Sequence, residues 1–226
     1  MPQRGAPRRA PLSRDAVARA AVTLADVAGL TSLSMRRLAH ELGVVPMALY
    51  KHVANKEDLL DGMIDLVFSE IEVPSGTDWK RAMRHRARSM REALLRHSWA
   101  IGLMGSRTSP GLASLHHHNA VLGRLRRAGF PLRTALRAYS AMDSYIYGSL
   151  LQQQNAPFKT DEEFAQAVEM DFPPPLQNEY PHLAETVFEL GKRPFDYGKA
   201  FEFGLVLILD GIDGLGRQRS GSSRRT

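Results

Sequence analysis

The sequence predicts an all-α protein in two parts: a three-helix head containing a helix-turn-helix, joined by a long fourth helix to a larger helical body. Three observations predict it. Apolar residues recur every three or four positions along most of the chain, and no stretch alternates as a half-buried strand would. Helix-start residues such as Ser13, Ser34, Asn55 and Asp78 precede those periodic segments, and Gly29, Gly43 and Gly129 follow them. The stretch from Ser32 to Leu60 reads as two short helices around a tight turn, followed at once by a long one.

The elements follow in order. Residues 1–12 hold three Pro, Gly5 and the arginines Arg4, Arg8 and Arg9, which reads as a disordered basic arm. Ser13 caps the first helix, and Asp15 suits its positive end. Val17, Ala20, Ala21, Leu24 and Ala28 form its inner stripe. Ser34 caps the second helix, with Leu33 and Leu38 as a hydrophobic staple. Gly43 sits where the chain needs a left-handed turn, and Pro46 opens the third helix. Leu49 and Val53 face inward, which leaves Pro46, Met47, Tyr50 and Lys51 outward. A basic, methionine-bearing and aromatic face on a small helix pair suits a DNA major groove.

Asn55 caps the fourth helix, whose inner stripe is Leu60, Met63, Ile64, Val67 and Ile71. About 15 helical residues span roughly 22 Å, enough to link head and body. Val73-Pro74-Ser75-Gly76 places the boundary between a 13–72 DNA-binding domain and a 77–215 body. In the body Asp78 opens a helix with Met83, Ala87, Met90, Leu94 and Leu95 inward. Further helices are expected over 112–128, 131–154, 161–170 (capped by Thr160) and from Pro194 through Ile212. Pro173-Pro174-Pro175 predicts an extended break, and residues 216–226 a disordered tail.

Charge is segregated. Residues 1–56 hold 9 Lys/Arg against 3 Asp/Glu, residues 57–216 hold 17 against 21, and residues 217–226 hold four Arg and no acid. A DNA-binding head on a non-binding body accounts for that asymmetry. Cys is absent, which excludes disulfides, thiolate metal sites and a Cys nucleophile and suits a cytoplasmic location. The N-terminus has no secretory signal, and Leu205 to Leu209, the longest apolar run, is too short to span a membrane.

The pattern Leu42-Gly43-Val44, then Leu49-Tyr50, His52, Lys56 and Leu59-Leu60, resembles the DNA-binding region of the tetracycline-repressor family. The body resembles that family's ligand-binding and dimerisation domain at Trp79, Ala93-Leu94-Leu95, Gly105-Ser106-Arg107, Ala128-Gly129-Phe130, Ala135 to Gln154 and Phe203 to Gly211. The resemblance implies a homodimeric, ligand-responsive transcriptional repressor on a palindromic double-stranded operator. The helices at about 131–154 and 195–214 would pair with their copies in a four-helix bundle. By the same resemblance Pro46, Met47, Ala48 and Lys51 read bases, Tyr50, His52 and Lys56 bind phosphate, and Arg36 contacts base or backbone. Against it stands an ordinary exposed helix face. Val45 departs from the family, which usually offers a polar cap there.

The matching pocket positions hold Glu72, Arg86, Met90, Leu103 and Val121, with Arg107 remaining of the loop. Leu103 cannot ligate a metal and Val121 cannot hydrogen-bond, so the implied inducer is mainly apolar or aromatic, with no metal or cofactor required. Trp99, Met104, Met142, Tyr145, Phe164 and Val168 complete the candidate lining. The alternative for this Met-rich stripe is plain core. Arg86 needs a partner if buried, either Glu72 or an acidic group of the ligand.

His116-His117-His118 looks like a metal cue, but helical neighbours point about 100° apart and cannot share one ion. No HExxH, Walker loop, GxGxxG or GxSxG occurs, so the chain reads as no enzyme. The readings left open are an activator of the same fold, a non-specific DNA-packaging protein and a metal-dependent helical-bundle enzyme.

Overall fold

A computed structural model describes residues 11–73, 75–107, 109–157, 160–171, 174–193 and 195–222. The arm arginines Arg4, Arg8 and Arg9 lie outside these, as do Pro173, Pro194 and residues 223–226. Among the described residues the fold is helical, with no strand.

The head is α1 (Arg14–Ala28), α2 (Met35–Leu42) and α3 (Pro46–Leu49). Ser13 Oγ accepts from Ala16 N at 3.1 Å and Ser34 Oγ from Arg37 N at 3.2 Å, so both expected caps form. Gly43 adopts φ 64°, ψ 39°, the left-handed turn that a side chain would strain. Val17, Ala21, Leu24, Leu33, Leu38, Leu49, Leu59 and Met63 close a small core. Each buried Leu or Val contributes about 1.5–3 kcal/mol, which holds the short α3 in place.

From the head, α4 (Lys56–Ser69) runs into the body. Asn55 Oδ1 caps it by accepting from Asp58 N at 2.9 Å. Its first half packs on α1 and its second half, through Ile64, Val67 and Phe68, joins the body's core. One rod therefore belongs to both apolar clusters.

The body comprises α5 (Trp79–Arg96), α6 (Ile101–Met104), α7 (Leu112–Arg127), α8 (Leu132–Gln154), α9 (Asp161–Asp171), α10 (Pro174–Glu179), α11 (Pro181–Lys192) and α12 (Tyr197–Ser222). Helices α5, α7, α8 and α12 pack around Met83, Met90, Leu94, Val121, Leu125, Met142, Ile146, Leu205 and Leu209. Leu95 is the exception to the stripe read for α5 and is exposed.

The end of the chain holds more helix than the sequence reading expected. Pro174 and Pro175 open a helix, occupying its first turn, where missing N–H groups leave no bond unmade, whereas Pro173 of the expected break lies outside the described residues. A further helix, α11, follows. Both α10 and α11 bury none of their residues. The backbone of α12 is helical to Ser222, past residue 216, where the tail was expected to begin. Its start is set by Asp196, which accepts from Lys199 N at 2.9 Å.

Candidate nucleic-acid interface and effector pocket

The outward face of the head is built by what points inward. Leu49 and Val53 are buried, and Val53 N and His52 N both donate to Leu49 O, so the chain turns immediately after α3. Met47 is 71% and Tyr50 45% exposed. Pro46, Arg36, Lys51 and Lys56 are exposed, and Ala48 and His52 half-buried. Among the described residues no carboxylate pairs with Arg36, Lys51 or Lys56. The single-turn α3 places Lys51 and His52 in the following turn, not on the helix itself. Val45 caps nothing and is exposed, so it is free for an outside contact.

Ion pairs tie α4 to the body. Arg107, in the loop after α6, donates from Nε to Asp61 at 2.5 Å, from Nη1 to Glu57 at 2.8 Å and from Nη2 to Glu57 O at 2.9 Å. The bond to Asp61 pushes the Arg107 guanidinium further up. Asp65 accepts from Ser114 N at 2.8 Å and Ala113 N at 3.3 Å, so α4 supplies the cap that Gly111 cannot give α7. Glu70, at the end of α4, accepts from Arg96 at 2.7 Å. Burial pushes its carboxyl up, but hydrogen bonds from Arg96 and His97 outweigh that and hold it below the usual range.

A cavity of about 270 Å³ lies between α4, the loop after α6 and α7. Ile64, Phe68, Met104 and Leu115 form its apolar wall, and Asp61, Asp65, Arg107, Ser114 and His118 its polar edge. Phe68 and His118 are each in ring contact with His117, which is buried behind them. His117 Nε2 accepts from Arg86 Nε at 2.9 Å, Arg86 Nη2 lies 2.7 Å from Asp143 Oδ1, and the guanidinium sits over the Tyr139 ring. Burial, then the charge of Arg86, pushes His117 down to about 3. The ring is therefore neutral, and since Nε2 accepts, its proton is on Nδ1. That Nδ1 and Arg86 Nη1 are buried donors without a partner among the described residues. Burial also pushes the Tyr139 and Tyr147 hydroxyls up.

The expected pocket residues divide. Met104 and Arg107 line the cavity. Met90, Val121 and Met142 are buried core. Arg86 is buried, and its carboxylate partner is Asp143 and not the expected Glu72. Glu72 points outward, 3.1 Å from His85, and cannot reach the pocket. Trp99 and Leu103 pack between head and body. Tyr145 donates to Ala200 O and Phe201 O and fastens α8 to α12. Phe164 and Val168 are half-buried on α9, with Phe164 over Gly191 of α11, away from the cavity. The three histidines point three ways: His116 is exposed, His117 binds Arg86, and His118 Nδ1 lies 2.6 Å from Ser114 O. Among the described residues no group of three or more His, Asp or Glu is placed to hold a metal. Asp143 and Asp65 were missed, although a lone carboxylate in the apolar pattern of α8 was a readable signal.

Comparison with known proteins bears on both regions. Residues 17–63 match the family described as bacterial regulatory proteins, tetR family, and residues 74–215 match the tetracyclin repressor-like C-terminal domain. The HTH-type transcriptional repressor DrrR1 of Streptomyces coeruleorubidus is 36% identical over 94% of this chain and 81% of its own length. The class A tetracycline repressor protein of Escherichia coli, from transposon 1721, is 30% identical over 89% and 90%. Apo ActR from Streptomyces coelicolor superposes with a TM-score of 0.77 at 26% identity, covering 93% of this chain and 99% of that one. ActR in complex with actinorhodin gives 0.75 at 26% identity, over 90% and 96%.

Proposed function

The chain belongs to the tetracycline-repressor family of transcriptional regulators, and on that premise we propose that it is a homodimeric repressor of a palindromic operator, released when a small molecule enters its body. The division into a DNA-binding domain at 13–72 and a ligand-binding and dimerisation domain at 77–215 is part of this reading. Two apolar clusters bridged by α4 support it. So is a cytoplasmic location, where the operator would be; among the described residues no helix is long and apolar enough to cross a membrane.

In this reading Arg36, Pro46, Met47, Ala48 and Lys51 face bases, and Tyr50, His52 and Lys56 hold phosphates. Two heads read half-sites about 34 Å apart, one turn of duplex. The unpaired cations on an exposed face carry this assignment. Repression is favoured over activation because the relatives that match over most of their length are named repressors.

The single observation that carries the effector site is the pair of orphaned donors behind the cavity, Arg86 Nη1 and His117 Nδ1. Buried donors left unpaired cost about 1–3 kcal/mol each, so an acceptor oxygen brought there is strongly favoured. The apolar wall suits a planar aromatic ring. The inducer class is therefore an aromatic molecule carrying a carbonyl, phenolate or carboxylate, bound without a required metal. The solved relative ActR, in complex with actinorhodin, supports a small-molecule effector in the body. Such a ligand favours release only by binding the two conformations with different affinity.

Gel shifts on an operator selected from random duplexes, with a panel of aromatic acids and with magnesium plus tetracycline, test it. Release by an aromatic acid in the presence of a chelator is the expected result. Release that needs magnesium and tetracycline would overturn the pocket assignment.

A further inference from the structure

We propose that Asp26 is a positioning residue through which the head is coupled to the body directly, alongside α4. Asp26 lies near the end of α1, in the head. Its Oδ1 accepts from the Trp99 indole Nε1 at 2.7 Å and lies 2.8 Å from His97 Nδ1. Both partners belong to the corner between α5 and α6, in the body. The other nitrogen of His97 lies 3.2 Å from both carboxylate oxygens of Glu70, the C-terminal cap of α4. One imidazole, only 6% exposed, thus joins α1, α4 and α5. Trp99 and Leu103 beside it pack against both apolar clusters, so the corner is common ground between the two domains.

The mechanical consequence follows from where the attachments lie. Helix α4 is one rod, and a rod alone leaves the head free to turn about its axis. Arg107 grips α4 itself, through Glu57 and Asp61. Asp26 grips from another helix, off that axis, and removes the rotation. Met104, three residues beyond α6's start, lines the cavity, so a shift of α6 reaches the Trp99–His97 corner within about two turns. From there it passes to α1, against which α2 packs. Coupling of this kind needs a physical element that both sites bias, and the corner touches the head through Asp26 and leads into α6, whose Met104 lines the cavity.

Hydrogen exchange of the full-length protein, free and bound to a selected operator duplex, tests it. The wild-type protein is expected to show slowed exchange in α2–α3 and, through Asp26, at residues 97–104. Asp26→Leu should keep the first and lose the second. Asp26→Asn, whose amide oxygen still accepts from Trp99, should keep part of it. Slowing at 97–104 that is undiminished in Asp26→Leu, or absent from wild type, overturns the proposal. If Asp26→Leu does not fold, His97→Leu on the body side of the same contact takes its place, with the same two outcomes. The proposal rests on operator binding, whose own failure would appear separately, as no slowing in α2–α3 of the wild-type protein.

Discussion

Lys51 stands in the turn after α3 with no carboxylate beside it among the described residues, so its ammonium is available to a guanine edge. Lys51→Ala should weaken specific binding by about 1–3 kcal/mol and relax one base position per half-site. Equal loss on selected and random duplexes in gel shifts would remove its base-reading role. At the opposite extreme of burial stands Arg86. Arg86→Met strands the Asp143 carboxylate, and breaking such a pair costs about 3–5 kcal/mol, read as a lower urea midpoint. His117 adds a pH dependence whose sign is fixed. Its folded value, about 3, lies below the unfolded 6.5, so the unfolded chain takes up the proton first as pH falls. Stability from this group is full above pH 6.5 and is lost toward pH 3, by up to about 1.4 kcal/mol per unit. His117→Gln keeps an acceptor for Arg86 and should flatten urea-derived stability between pH 6 and 4; an unchanged slope would mean other groups set it.

At the scale of elements, the join of α4 to α7 depends on one close approach. A Cβ on Gly111 would collide with the Asp65 carboxyl group, so Gly111→Ala must push that carboxylate off the α7 amides. The expected loss is about 1–2 kcal/mol, the worth of an N-cap. Asp65→Ala should cost a similar amount, and the double variant should cost little more than either, because both remove the same bond. Additive losses in urea titrations would show that Gly111 acts otherwise. Helix caps of this chain were largely legible: Ser13, Ser34, Asn55, Asp78 and Thr160 all accept the amide expected of them. The cap from Asp65 was not, because it comes from 46 residues away in sequence, and no local rule finds it.

For the whole molecule, the apolar face left uncovered on α12 is the feature to probe. Leu205 and Leu209 are buried within the chain, so charges there would test the core and not the dimer. Phe203 and Leu207 are 70% and 57% exposed on the same helix. Phe203→Arg with Leu207→Arg should leave the monomer folded, because neither side chain supports its core. In a dimer built on this face it would bury two charges per subunit without partners. Sedimentation is expected to show monomers, with operator affinity reduced because one half-site is held at a time. A dimer of unchanged stability would move the interface elsewhere.

By itself the sequence determined the helical class, the head with its helix-turn-helix, the linking α4 and the separation of charge, because periodicity, caps and glycine turns act within a few residues of themselves. It also determined that Arg86 must have a partner, since an unpaired buried charge is too costly to keep. Which partner was decided only by the tertiary structure. Glu72 and Asp143 are equally carboxylates, and only the packing of α5 against α8 brings Asp143 to 2.7 Å while turning Glu72 outward to His85. The same holds for Trp99, apolar enough to line a pocket but fixed between head and body by its bond to Asp26. Side-chain chemistry is local, whereas the choice among chemically equal partners belongs to distances that only the fold sets.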